Sequence, residues 1–172
     1  MMSTALAPKK ITTQMTEITG ITAPTSANHI IPQIVLGYPP NIKIIEAVFG
    51  DIVRKREIYF AYAGKVYNPH GKPIHPSIMR HEEVHLIRMA ADPDKWWDNY
   101  LTDVKFRFDE EVAAHKAEFK WWRTNVLQHP NRPPKGWRSA EEYYLFHIAS
   151  KLRSPLYNFN LSLSKAKALI YS

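Results

Sequence analysis

The sequence predicts an α+β fold that is mostly helical and carries a short antiparallel β-hairpin. Two aromatic and β-branched runs, residues 58–62 and 65–67, flank Ala63 and Gly64, a pattern typical of a hairpin. After the hairpin, apolar residues at helical spacing alternate with capping residues and prolines. A chain of 172 residues with 45% apolar content is long enough to bury one sizeable core.

The first part of the chain shows no sustained periodicity. Residues 1–40 are rich in Thr, Ser, Ala, Pro and Ile, and we expect them to form an extended N-terminal arm. Residues 41–172 are then the single folded domain. Residues 41–49 are too few for periodicity to separate a helix from a strand, and we expect a short helix there.

Prolines and capping residues delimit the helices that follow the hairpin. A loop with three prolines leads into the first of them, and Pro93 ends it. Asp92 and Asp103 are N-cap residues for the next two helices, and Ser139 with Glu142 forms a capping box for a fourth. We predict helices over residues 77–91, 94–101, 104–127, 139–152 and 164–170.

Composition excludes several classes of site. The chain has no cysteine, so it cannot form disulfides, thiolate zinc sites or a thiol nucleophile. No apolar run is long enough for a membrane span, and the N-terminus lacks a secretory core, so we expect a cytoplasmic protein. The net charge is +7, but Lys and Arg are spread along the chain, and we do not expect specific nucleic-acid binding.

The most informative motif is His-Glu-x-x-His at residues 81–85. Residues four apart lie on one face of a helix, so His81 and His85 can bind one ion while Glu82 points toward its water. A zinc ion in such a site lowers the pKa of its water toward about 7, and the carboxylate can accept the proton. The motif therefore predicts a zinc hydrolase with Glu82 as the general base.

A catalytic zinc ion takes three protein ligands, so a third must come from elsewhere. We favour Glu111, with Glu110 second, because apolar neighbours indicate that this flank of the 104–127 helix is buried. Glu118 and His115 lie on the same helix; His115 is either packed or hydrogen-bonded to the site from outside. A surface ion pair is the alternative role for each of these glutamates.

The hairpin is expected to form one wall of the site. Tyr62 and Tyr67 are candidate substrate-binding residues that could hydrogen-bond an oxyanion or line the cleft, although packing within the hairpin explains them as well. The edge strand over residues 59–62 is expected to hold an extended peptide by β-addition.

Several stretches in this order resemble a group of small zincin-like metallopeptidases carried by phages and prophages. They are Val66-Tyr67-Asn68-Pro69, Met79-Arg80-His81-Glu82-x-x-His85, Trp97-x-x-Tyr100-Leu101, Phe106-Arg107-x-x-x-Glu111-x-x-Ala114 and Ser154-Pro155-Leu156-Tyr157. The resemblance covers about residues 58–171. Arg88 and Met89 depart from it, because glutamines are expected there.

The resemblance implies a minimal zincin fold, in which a second helix brings Glu111 to His81, His85 and Glu82. We therefore expect zinc-dependent hydrolysis of a peptide bond in a peptide or protein substrate. The alternative is a phage virion structural or adaptor protein that keeps the fold without activity and contacts other subunits through its N-terminal arm. The first function implies the host cytoplasm and the second implies association with the virion.

Overall fold

The fold is α+β and mostly helical, as predicted, with a small three-stranded sheet. The computed structural model describes residues 32–127 and 133–172. In chain order the elements are β1 (Gln33–Leu36), α1 (Ile42–Phe49), α2 (Ile52–Lys55), β2 (Phe60–Tyr62), β3 (Lys65–Asn68), α3 (Pro76–Met89), α4 (Pro93–Thr102), α5 (Val104–Asn125), α6 (Ala140–Leu152) and α7 (Leu163–Tyr171).

The predicted hairpin is β2 and β3, which pair antiparallel. Its turn residues, Ala63 and Gly64, have φ of 48° and 78°, and two positive φ angles are what a two-residue hairpin turn requires. β1 adds to the other side of β3 in parallel, giving the order β1-β3-β2. The predicted antiparallel pairing therefore describes the hairpin only, because the complete sheet also contains the parallel pair of β1 and β3.

The predicted N-terminal arm falls largely outside the described residues. Residues 1–31 are not described, whereas Gln33–Leu36, at the end of the predicted arm, form β1. The pairing of Ile34 with Val66 and of Val35 with Tyr67 ties this segment to the sheet. The C-terminal end of the arm is thus part of the folded domain.

The helices begin where the capping residues predict. Asp92 accepts a hydrogen bond from the backbone N–H of Lys95, and Ser139 accepts one from that of Glu142. α3 begins at Pro76, one residue before the predicted start, because the ring of His75 accepts from the Ser77 N–H and serves as the N-cap. Residues 128–132, which follow the helix predicted over residues 104–127, lie outside the described part of the chain.

Two apolar clusters surround a buried polar layer. One lies between the sheet, α1, α3 and α4 and includes Val66, Leu86 and Trp97. The other joins α5, α6 and α7 around Phe119 and Leu152. Among the described elements, the contact between α3 and α5 is the most extensive. The long helix α5 therefore links the two clusters. Within the described ranges, no helix has the length and apolarity required to cross a membrane.

The second cluster should be a main source of stability. Leu152 has no exposed surface, so Leu152→Ala should lower the free energy of unfolding by about 2–5 kcal/mol through lost burial and a residual cavity. Urea denaturation with chelator present, followed by circular dichroism, measures this. Ile87→Ala, whose side chain is 54% exposed, is the control and should change stability by less than about 0.5 kcal/mol. Equal effects of the two changes would contradict the assigned core.

Candidate metal centre

A layer of polar side chains is buried between α3 and α5. Burying charged groups is costly unless they are paired or bind an ion. A layer with this many buried ionisable side chains therefore needs an explanation. All of them except Glu110 border a cavity of about 700 Å³, which is also lined by β2 and by the segment after α6. The buried members of the layer are His81, Glu82 and His85 of α3 and Glu110, Glu111, His115 and Glu118 of α5.

Helical spacing brings these side chains onto facing surfaces. His81 and His85 are four residues apart on α3, so they lie one turn apart on the same face. Glu111, His115 and Glu118 recur at four and three residues on α5 and form a matching stripe. Because α3 packs closely on α5, the two sets meet in the interior.

The three predicted ligands are close together. His81 Nε2 lies 3.2 Å from His85 Nε2 and 3.7 Å from Glu111 Oε2, and His85 Nε2 lies 3.5 Å from Glu111 Oε1. Tetrahedral zinc with bonds of about 2.0–2.1 Å separates its ligand atoms by about 3.3–3.4 Å. The two nitrogens are at about this separation, and each lies within a few tenths of an ångström of it from one oxygen of Glu111, which is Oε2 for His81 and Oε1 for His85.

His81, Glu111 and His115 form a buried group that could hold a metal ion. One ligand atom from each lies within 4.8 Å of the others, and His115 Nε2 is 3.6 Å from Glu111 Oε2. The sequence predicts that His115 is either packed or hydrogen-bonded to the site from outside, whereas the structure places its ring in the cluster. Two of the predicted ligands belong to this group, and His85 lies directly beside it.

Unpaired polar atoms support a cation at this position. Glu111 Oε2 and His115 Nε2 are buried and have no hydrogen-bond partner among the described residues. A buried polar atom without a partner costs about 1–3 kcal/mol, and a metal ion would satisfy both. Imidazole nitrogens and a carboxylate are also the ligand types that zinc accepts in a chain without cysteine.

Glu118 lies behind two of the histidines and is hydrogen-bonded to one of them, His115. Its Oε2 lies 3.0 Å from His115 Nδ1 and 3.9 Å from His81 Nδ1, and its Oε1 accepts a hydrogen bond from Lys151. The adjacent His115 and Lys151 lower the pKa of Glu118 to about 2 despite its burial. Glu118 is thus an ionised carboxylate behind the candidate ligands, a common arrangement at metal sites.

The structure separates the roles of the two adjacent glutamates. Glu110 accepts bonds of 2.7 and 2.8 Å from Arg88 Nε and lies 3.9 Å from His85 Nδ1, on the outer side of that ring. Glu111 points between the two motif histidines, where it also accepts a hydrogen bond of 2.5 Å from Tyr100 Oη. The alternative choice of Glu110 as third ligand is therefore not favoured by the geometry.

The electrostatics of the centre favour a positive charge. Burial opposes protonation of His85, but the carboxylates of Glu110 and Glu111 raise its pKa to about 10. Burial alone would raise the pKa of Glu111, yet His85, His81 and His115 hold it well below its usual range. Burial raises the pKa of Glu82 to about 7, so this carboxyl exchanges its proton near neutral pH.

The two tyrosines predicted to contact substrate lie elsewhere. Tyr62 donates a hydrogen bond of 2.6 Å to Asp94 at the start of α4, and Tyr67 is buried in the first cluster opposite Phe60. Neither lines the cavity. The hairpin faces it instead through residues 58–61, because the cavity borders the beginning of β2 and not its turn.

Tyr100 and Tyr157 are site residues that the sequence did not predict, although both lie in the stretches that carry the resemblance. Tyr100 bonds Glu111, and Tyr157 lines the cavity after α6. Burial, reinforced by Glu111, raises the pKa of both phenols well above the usual value, so both keep their protons. Their distance from the histidine motif in the chain conceals these roles.

The edge of β2 is only partly free for β-addition. The carbonyl oxygen of Ala61 accepts a hydrogen bond of 3.1 Å from the indole Nε1 of the buried Trp97. An incoming strand cannot bond to this carbonyl without displacing Trp97. Any peptide pairing with this edge must therefore use the segment before Ala61, near Tyr59, which lines the cavity.

Comparison with models of known protein families, with curated proteins and with solved structures gives no match. What points to function in this protein is therefore the site itself. It combines a His-Glu-x-x-His helix, a buried carboxylate between its histidines, and a cavity that reaches them.

The two adjacent glutamates should differ in their effect on metal binding. Glu111→Gln should weaken zinc affinity by more than about 100-fold because it removes a ligand, whereas Glu110→Gln should cost about 10–100-fold through the orientation of His85. Competition with a chromophoric zinc chelator measures both constants. A larger loss in Glu110→Gln would reverse the assignment of the third ligand.

Proposed function

We propose that this protein is a zinc-dependent peptidase in which His81, His85 and Glu111 hold the ion and Glu82 is the general base. The observation that carries the proposal is the position of the Glu111 carboxylate, 3.7 and 3.5 Å from the facing nitrogens of the two motif histidines. Bound zinc would polarise a substrate carbonyl and acidify a water molecule.

Glu82 is suited to move the proton. It is buried, lines the cavity, and takes part in no salt bridge between described residues. Its pKa of about 7, raised by burial, allows it to accept a proton from the attacking water and return it to the leaving amine at neutral pH. The neighbouring Glu83 differs, because it is paired with Arg80.

The cavity can accommodate a peptide segment. Its volume of about 700 Å³ lies within the range of roughly 300–1,000 Å³ for ligand sites, and its lining is largely apolar and aromatic. Phe60 and Trp96 contribute apolar walls beside His85. Tyr157, which keeps its proton, supplies a hydrogen-bond donor for a carbonyl oxygen on which negative charge develops.

The general base provides the direct test. Glu82→Gln should lower cleavage by at least about 100-fold, because the amide cannot accept the proton, while zinc content stays near that of the wild type. The substrate is a peptide library from digested cell protein, with new termini identified by mass spectrometry. Wild-type cleavage should disappear on chelation and return with zinc.

Glu83→Gln is the matched control, because it removes the adjacent carboxylate without touching the cavity. It should keep near-normal cleavage. Undiminished turnover by Glu82→Gln at equal zinc content would contradict the role of Glu82 as general base. A wild-type protein that binds zinc but yields no chelator-sensitive cleavage would shift the assignment to a structural role for the metal.

A further inference from the structure

A fourth metal-binding side chain points into the centre beyond the three proposed ligands. The ring of His115 is buried, with 2% of the residue exposed, and its centroid lies 4.5 Å from that of His81. Its Nε2 is 3.6 Å from Glu111 Oε2 and has no hydrogen-bond partner among the described residues. Buried imidazole nitrogens are normally paired, so this one requires an explanation.

The other ring nitrogen determines what Nε2 can do. His115 Nδ1 lies 3.0 Å from Glu118 Oε2, and the same carboxylate accepts a hydrogen bond from Lys151 through its other oxygen, so Nδ1 is the donor and carries the proton. In the neutral ring, Nε2 then has a free lone pair directed toward Glu111. Lys151 donates a hydrogen bond to the other oxygen of Glu118. This contact orients the Glu118 carboxylate and, through it, the ring of His115. His115 is thus prepared as a metal ligand, in the carboxylate–histidine arrangement found at metal sites.

We propose that His115 is a fourth protein ligand, so that the resting ion is held by three imidazoles and Glu111. The inference rests on the proposed zinc site and changes its character. A tetrahedral zinc ion with four protein ligands has no position for water, as in structural sites, whereas catalytic sites keep one open. His115, which borders the cavity, must therefore give up both the ion and its hydrogen bond to Glu118 before hydrolysis begins.

The number of imidazoles around the ion is the first test. X-ray absorption spectra of the zinc-loaded full-length protein should show three histidine ligands in the wild type and two in His115→Gln. Glutamine keeps a donor for Glu118 and much of the side-chain volume. His147→Gln is the matched control, because His147 lines the same cavity but its ring packs on Tyr143, outside the cluster. It should retain three.

Access of an external ligand is the second test. In the cobalt-substituted protein, acetohydroxamate should bind His115→Gln at least about tenfold more tightly than the wild type, since only the fraction of wild-type protein with His115 displaced can accept it. The change in the visible cobalt spectrum gives the dissociation constants. His147→Gln should behave as the wild type does.

Two imidazoles in the wild type that remain two in His115→Gln would overturn the role of His115 while leaving the proposed peptidase intact. Equal hydroxamate affinity in wild type and His115→Gln would overturn the closed resting state. Failure of the wild type to bind any metal would instead overturn the proposed function, and the inference with it.

Discussion

The structure depends on a buried carboxylate, that of Glu111, placed between two helices. Removing an ionised group from water costs several kcal/mol, and the cost is offset only if well-placed partners surround it. Glu111 meets this condition through Tyr100 and through three imidazoles contributed by α3 and by its own helix. The contacts that stabilise the packing of α3 on α5 therefore also set the geometry of the candidate metal centre.

The other carboxylates of the layer show what is special about Glu111. Glu110 is neutralised by Arg88 and Glu118 by Lys151. In the described residues, Glu111 forms no salt bridge with a lysine or arginine, and its ion-pair partners are all histidines. A cation between the imidazoles would neutralise its negative charge, while Glu110 and Glu118 lie behind the rings and Glu118 is hydrogen-bonded to His115.

The layer also separates chemistry from stability. Apolar clusters on either side, one around Leu86 and Trp97 and one around Phe119 and Leu152, supply most of the burial. Between them, the cavity reaches Glu82 and the histidines from outside both cores. A rigid frame of this kind is what holds candidate ligand side chains at fixed distances from one another.

The sequence by itself determined the local features: the helix starts at Asp92 and Ser139, the hairpin, and the placement of His81 and His85 on one face, because these follow from hydrogen bonds and periodicity within a few residues. Tertiary structure decided the rest. Adjacent residues on a helix point about 100° apart, so only the packing of α5 on α3 could show that Glu111 points between the motif histidines and Glu110 toward Arg88. The same packing brought His115 beside His81 and Glu111. Contacts between other distant segments left Tyr62 and Tyr67 outside the cavity and placed β1 parallel to β3.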